Sequence, residues 1–290
     1  LPGYKFMPTC LPMAQTLPVC AMPASRFLPP TLLFAAFFTA CQPQKRLEIA
    51  HAQGKKQVSL SELRQRVSDR EVEVDDHYLQ RRTSYRALPL APLLRAWAPA
   101  GPYDEVLFHC ADGYEARASR ADLEQGRLDS FFLAYGEGGE RFRSMIQQGK
   151  SQVSPEPFYA VSTDPKGYAT LSWPYEIVGV EFIRFADKYP GLLPDAVAQN
   201  AVTRAGFDLF RKECLRCHSL NLMGGEIGPE LNVPRNITEY RDDAYLRAFI
   251  RNASAFRARS KMPPFAQLTE AELGKVIGYL KVMARFKVPN

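Results

Sequence analysis

Hydrophobic and polar positions change rhythm once along the chain, near residue 200. From 57 to 190 the apolar positions come in short alternating or continuous runs, at 71–74, 106–110, 158–162 and 177–185, separated by turn-forming clusters such as Asp164-Pro165-Lys166-Gly167. Such runs predict strands. Leu90–Trp97 and Arg120–Glu124 predict two short helices between them. Beyond 200 the spacing becomes helical. The segment 201–212 predicts one helix, and 242–252 a second with Leu246, Phe249 and Ile250 apolar. A third follows the pair Thr269 and Glu272, spaced as a capping box, with Leu273, Val276, Ile277 and Leu280 at helical intervals. The expected class is α+β: a mixed, mostly β domain over 57–190, then an all-α domain over 200–290.

The first 41 residues read differently. An apolar run at 27–40 follows Arg26 and is too short to span a bilayer, which takes about 20 residues. It reads as the apolar region of an export signal, with Met22 giving a signal of ordinary length and 1–21 a mis-assigned start. Thr39 and Ala40 precede Cys41 in a pattern that resembles a bacterial lipobox, although Phe38 stands where leucine is usual. That resemblance makes Cys41 a lipidated first residue of a protein anchored to a membrane. The polar stretch 42–56 then reads as a tether.

Chemistry concentrates in Cys214-Leu215-Arg216-Cys217-His218. Two thiols three positions apart lie about one helical turn from each other, so each can form a thioether to one haem vinyl group while the adjacent imidazole meets the iron. A zinc site would need more soft ligands than the two cysteines and one histidine in 201–290. A thioredoxin-like pair would follow a βαβ pattern, not a helix. The pentad therefore predicts one covalent haem c with His218 as an axial ligand. No second histidine in 201–290 is available for the other face, which leaves Met223, Met262 and Met283. Met223 is too close in sequence to cross the haem, and Met283 belongs to an amphipathic helix. Met262 precedes Pro263 and Pro264, which hold an extended loop able to press a thioether onto iron. His218 and Met262 would saturate the metal, which suits electron transfer rather than catalysis at the haem.

Residues 201–290 resemble the class I c-type cytochromes throughout. In that family a glycine and an aromatic residue on the first helix meet the last helix, and the resemblance assigns these places to Gly206, Phe210, Val276 and Tyr279. Gly228 and Pro229 match the segment in which a proline carbonyl accepts the N–H of the proximal imidazole, so Pro229 is expected to orient His218. Proteins of this kind are matured outside the cytoplasm, which implies a periplasmic location.

Three segments of the front half, at 84–97, 106–123 and 172–185, resemble the molybdopterin-binding domain of the sulfite oxidase superfamily. The likeness is diffuse and covers most of 60–186. That family holds molybdenum by a cysteine ahead of the segment matching Leu88-Pro89-Leu90-Ala91-Pro92-Leu93-Leu94, and between Glu48 and Leu90 this chain has none. The expectation is a sulfite oxidase-like fold without a molybdenum cofactor. Cys110 falls after that segment and reads as a buried structural thiol. His109 beside it would point to the opposite face of a strand, which argues against a shared copper site. His51 and His77 read as surface histidines.

Composition adds a charge asymmetry. The chain of 290 residues carries a formal net charge of +6. Residues 201–290 hold fifteen Lys/Arg against nine Asp/Glu, while 42–200 hold twenty against twenty-two. A cationic haem domain favours redox partner proteins acidic at the docking face. Dispersed basic residues give no reason to expect nucleic acid. Arg247, Arg251, Arg257 and Arg259 read either as a docking patch or as a solvated helix face. The functional expectation is a membrane-tethered periplasmic electron carrier, not an enzyme, whose front domain docks or positions the haem. The alternative is the haem-bearing part of a molybdopterin-dependent, sulfite oxidase-like dehydrogenase. A haem sensor would need a labile sixth ligand.

Overall fold

The computed structural model describes residues 44–149 and 151–289. Cys41, the segment 27–40 and the start at Met22 lie outside the described residues. Two of the first elements occupy the segment expected to be a tether. Strands β1 (Arg46–His51) and β2 (Gly54–Ser59) form an antiparallel hairpin, and β1 also pairs in parallel with a strand 131 residues later. The tether expectation for 42–56 is corrected accordingly. Leu47 and Ile49 face the core while their neighbours bond to strands on both sides, so a mostly polar stretch is held by its alternate positions.

Helix α1 (Leu60–Arg66) opens on a capping box in which the Ser59 hydroxyl accepts from Glu62 N–H and the Glu62 carboxylate accepts from Ser59 N–H. Then come β3 (Arg70–Asp76), β4 (Arg81–Pro89), α2 (Leu90–Trp97), β5 (Glu105–Cys110), β6 (Glu115–Ser119), α3 (Arg120–Glu124) and β7 (Phe131–Gly136). A small hairpin, β8 (Ile146–Gln148) with β9 (Ser151–Val153), precedes β10 (Tyr159–Ser162) and β11 (Ile177–Ile183). Two sheets result, of order β2-β1-β11-β5-β6 and β10-β7-β4-β3. Both helices and four of the strand runs expected from the sequence fall where these elements lie. The Asp164 turn also forms, with Gly167 N–H donating to the Asp164 carbonyl at 2.9 Å.

The helical region follows without an extended linker. Helices α4 (Phe185–Lys188) and α5 (Asp195–Ala198) lead into α6 (Ala201–Leu209), capped by Asn200. The helix expected to run to 212 instead loosens into a π-helical turn at Phe210–Cys214. After the two-residue strands β12 (Ser219–Leu220) and β13 (Met223–Gly224) come α7 (Asp243–Arg251), α8 (Ala253–Phe256) and α9 (Glu270–Met283). Asp242 caps α7, and Thr269 with Glu272 forms the expected capping box at α9.

Alternation along β5 joins the two regions. Val106, Phe108 and Cys110 point into the core between the sheets and helices α1 and α2. Leu107, on the other face, belongs to a second core with Ile183, Phe185, Tyr189 and Leu192 and with Phe207, Phe210, Tyr279 and Met283 of the helical region. The sheet-rich and helical parts therefore share this second core, and the described residues form a single unit. Burial of this seam follows from simple area removal, at about 25 cal/mol per Å² of apolar surface.

Candidate functional site

Helix α6 sets the site by crossing α9 at Gly206. A Cβ on Gly206 would overlap the backbone carbonyl of Lys275 and approach Tyr279 Cβ at 3.0 Å, so only glycine allows this approach. Phe207 and Phe210 pack their rings 5.7 and 5.4 Å from that of Tyr279. The π-helical turn then delivers the pentad: Cys217 N–H and His218 N–H both donate to the Cys214 carbonyl, at 3.0 and 2.9 Å. Leu215 turns inward and is fully buried, leaving Cys214, Cys217 and His218 half-buried. Neither cysteine is part of a disulfide.

The chain then folds back beneath its own turn. Asn221 and Leu222 take left-handed backbone angles, φ +57° and +63°, to reverse direction. Gly225 N–H donates to the Leu215 carbonyl at 2.9 Å and Gly228 N–H to the Cys217 carbonyl at 2.7 Å. A Cβ on Gly228 would stand 2.5 Å from His218 Nδ1 and 2.8 Å from Nε2, so the imidazole lies directly on this glycine. The next residue supplies the orienting contact: His218 Nδ1–H donates to the Pro229 carbonyl at 2.8 Å.

Burial lowers the pKa of His218 below the usual histidine value, against the opposing pull of the Pro229 carbonyl and Glu230. The ring is therefore neutral at physiological pH, protonated on Nδ1, with the Nε2 lone pair free for a metal. Burial also pushes the Cys214 thiol up to about 12 and the Cys217 thiol up to about 11. Thiol redox pairs need the opposite shift, toward thiolate. Among the described residues no group of three or more His, Cys, Asp or Glu side chains is placed to hold a metal ion, which leaves a structural zinc site without its ligand set. Two free thiols one turn apart, a neutral imidazole fixed through Nδ1 and a glycine floor beneath it fit a covalently held haem.

Met262 lies in the loop between α8 and α9, half-buried, and its N–H donates to Ser260 Oγ at 3.2 Å. The other two methionines of this region are spent on packing: Met223 lies against the helical core and Met283 is fully buried in it.

Other residues that hold the site gave no sequence signal. The Glu230 carboxylate accepts from the backbone N–H of Asn221, Leu222 and Asn232 at 2.9, 2.9 and 2.7 Å, tying both arms of the loop together. Burial raises its pKa, but the bond from the Ser219 side chain and those from the backbone N–H of Asn232, Leu222 and Val233 outweigh it and hold the pKa below the ordinary value. Two fully buried asparagines connect the loop to α9, Asn232 donating to the Met283 carbonyl and Asn236 to that of Leu280, both at 2.9 Å. Spacing cannot reveal them, because their partners are backbone groups some 50 residues away.

In the front half Cys110 is buried and its thiol is raised well above the ordinary value by burial. His109 faces away from it, bonding to Glu181 through Nε2 at 2.9 Å. His77 is exposed and stacks on Tyr168, and His51 accepts from Gln53 N–H at 3.2 Å. No described helix is long and apolar enough to cross a membrane. Arg247 and Arg251 both pair with Glu270, at 2.9 and 2.7 Å, which makes them part of the α7–α9 contact rather than a free patch.

The segment 201–280 matches the family model described as cytochrome c oxidase, cbb3-type, subunit III. The match supports a C-terminal cytochrome c domain, and with it haem c and haem-based electron transfer. No curated protein matches the chain.

Proposed function

We propose that this chain is a membrane-tethered periplasmic electron carrier with one haem c, bound by thioethers to Cys214 and Cys217 and ligated by His218 and Met262. The observation that carries the reading is the His218 Nδ1–H bond to the Pro229 carbonyl at 2.8 Å, which commits one ring nitrogen as donor and leaves the other as ligand. Bound there, the haem supplies a one-electron couple. The protein's own residues do the rest: Gly228 seats the imidazole, Pro229 orients it and makes it a stronger donor, and the Pro263-Pro264 loop holds Met262 extended. With His218 and Met262 both ligating, the iron would have no open position for a substrate, which favours electron transfer as the role.

Charge supports a partner acidic at its docking face. Arg241 lies over Tyr240 and Tyr245, and Arg257 over Phe249. Neither has a carboxylate partner among the described residues. These cations on aromatic rings, with Tyr240 and Phe256 each 46% exposed beside them, present charge that no described carboxylate neutralises.

The front half is read as a sulfite oxidase-like domain that carries no molybdenum cofactor and serves docking or positioning. Its support is the three resembling segments and the place of Cys110, whose thiol packs against the core face with Val106 and Phe108. A molybdopterin-dependent dehydrogenase is the second reading. Lipidation of Cys41 is supported by the lipobox-like sequence, and the periplasmic location by the signal-like segment together with the maturation of c-type cytochromes outside the cytoplasm.

The test is spectroscopic. The full-length protein produced with haem maturation should give a low-spin c-type spectrum, one haem per chain, and in the ferric form the weak far-red band of methionine-to-iron charge transfer. Met262→Ala should abolish that band. Its persistence in the variant would overturn the ligand assignment, and stoichiometric molybdenum in the purified protein would favour the dehydrogenase.

A further inference from the structure

The front half meets the haem attachment turn at a short loop, the turn between β5 and β6. Gly113, in a left-handed conformation at φ +86°, accepts from Glu226 N–H at 2.9 Å, and a Cβ there would meet Glu226 Cβ at 3.1 Å. Two residues on, Glu115 N–H donates to the Arg216 carbonyl at 2.9 Å. Arg216 stands between the two cysteines of the pentad. Its side chain is held from both sides. Nη1 donates to the Tyr114 hydroxyl at 3.3 Å, Nε and Nη2 donate to the Lys212 carbonyl, and Glu213 lies 3.4 Å away. Tyr114 is fixed in turn, its hydroxyl 2.6 Å from Ser172 Oγ, and Ser172 is buried in the front half. The arginine inside the attachment motif is therefore held by its own turn, through Lys212 and Glu213, and by Tyr114 of the other region.

We infer that Tyr114 and Arg216 form a device by which the front half sets the redox potential of the haem, Arg216 supplying a fixed positive charge at the attachment edge and Tyr114 acting as its positioning residue. The physical reason is electrostatic. Ferrous haem carries one positive charge fewer than ferric, so a cation held close in a poorly hydrated place favours reduction. A guanidinium is always charged and binds through a planar fork, which makes it a charge that can be aimed. Its backbone place between Cys214 and Cys217 would keep the charge near a haem held by those two residues. The inference rests on the haem reading above.

Spectroelectrochemical titration of the full-length holoprotein tests it, with covalent haem and the far-red methionine band checked first in every variant. Arg216→Gln should lower the midpoint potential, all the more because Glu213 is left unpaired. Tyr114→Phe should lower it less, and Arg216→Lys should keep most of the wild-type value because it keeps the charge. A midpoint unchanged in Arg216→Gln, with haem and band intact, overturns the charge effect. A fall in Arg216→Gln with no change in Tyr114→Phe overturns the role of the front half. If Arg216→Gln is not matured, Arg216→Lys and Tyr114→Phe decide, an unchanged Tyr114→Phe potential again counting against the inference. A wild-type protein without covalent haem would overturn the haem reading itself, which the haem assay distinguishes from these results.

Discussion

His218 gives its Nδ1–H to the carbonyl of Pro229, 2.8 Å away and eleven residues on, while its ring rests on the intervening Gly228. One short segment thus fixes both the tautomer and the plane of the imidazole. The backbone does this, so side-chain chemistry at 229 matters less than the absence of a side chain at 228.

Gly228→Ala should therefore be more damaging than its size suggests. The new methyl would occupy the place of the imidazole and tilt the ring away from Pro229. The expected result is loss of most covalent haem per chain, read by haem absorbance against protein concentration. A normally loaded Gly228→Ala protein would mean that the ring has room the structure does not give it.

Gly206→Ala acts at the crossing of α6 and α9. Its Cβ would overlap the Lys275 carbonyl, and overpacking of this kind costs about 1–3 kcal/mol. Chemical denaturation should show that loss as an earlier midpoint with an unchanged slope.

Glu105 and Arg211 hold the two regions together by charge. Arg211 donates to Glu105 Oε1 from Nε and Nη2 at 3.0 and 2.6 Å, and Arg117 lies 3.5 Å from Oε2. Glu105 is buried, and Arg211 also covers the Phe185 ring at 3.9 Å. Removing the carboxylate leaves two guanidinium groups beside an apolar seam. Glu105→Ala should cost about 3–5 kcal/mol, and a double-mutant cycle with Arg211→Ala should recover part of it. Purely additive effects would mean the pair does not couple the regions.

Acid should weaken the fold partly through Glu181. Its pKa is held down at about 2, first by the bond to His109 and then, against the cost of burial, by Lys188. A carboxylate depressed in the folded state contributes stability that is fully present above its unfolded value, near 4.5, and is lost as pH falls toward 2. Glu181→Gln should flatten the stability profile in that window by at most about 1.4 kcal/mol per pH unit, leaving the slope due to Asp69, which is also held at about 2. An unchanged slope would show that Glu181 gains nothing from folding.

Much of this molecule follows from local pattern. The pentad, the capping box at Thr269 and Glu272, the short helices Leu90–Trp97 and Arg120–Glu124 and the four strand runs are legible because each depends on neighbours within one or two turns of chain. Met262 stands out because two prolines beside it constrain its own backbone. The family match over 201–280 agrees with that reading of the helical region.

What only the tertiary structure decided is longer in range. The polar stretch from Arg46 is a strand because β11 lies beside it, and no alternation of two apolar residues announces a partner 131 positions away. Asn232 and Asn236 are buried because α9 offers them carbonyls. Leu107 looks like any strand residue, yet its face of β5 is the seam that joins the two regions. Arg216 reads as a spacer between cysteines until Tyr114 is found against it. Local spacing determines which chemistry the chain can hold; the environment around that chemistry depends on contacts between residues far apart in sequence, and these exist only once the chain has closed.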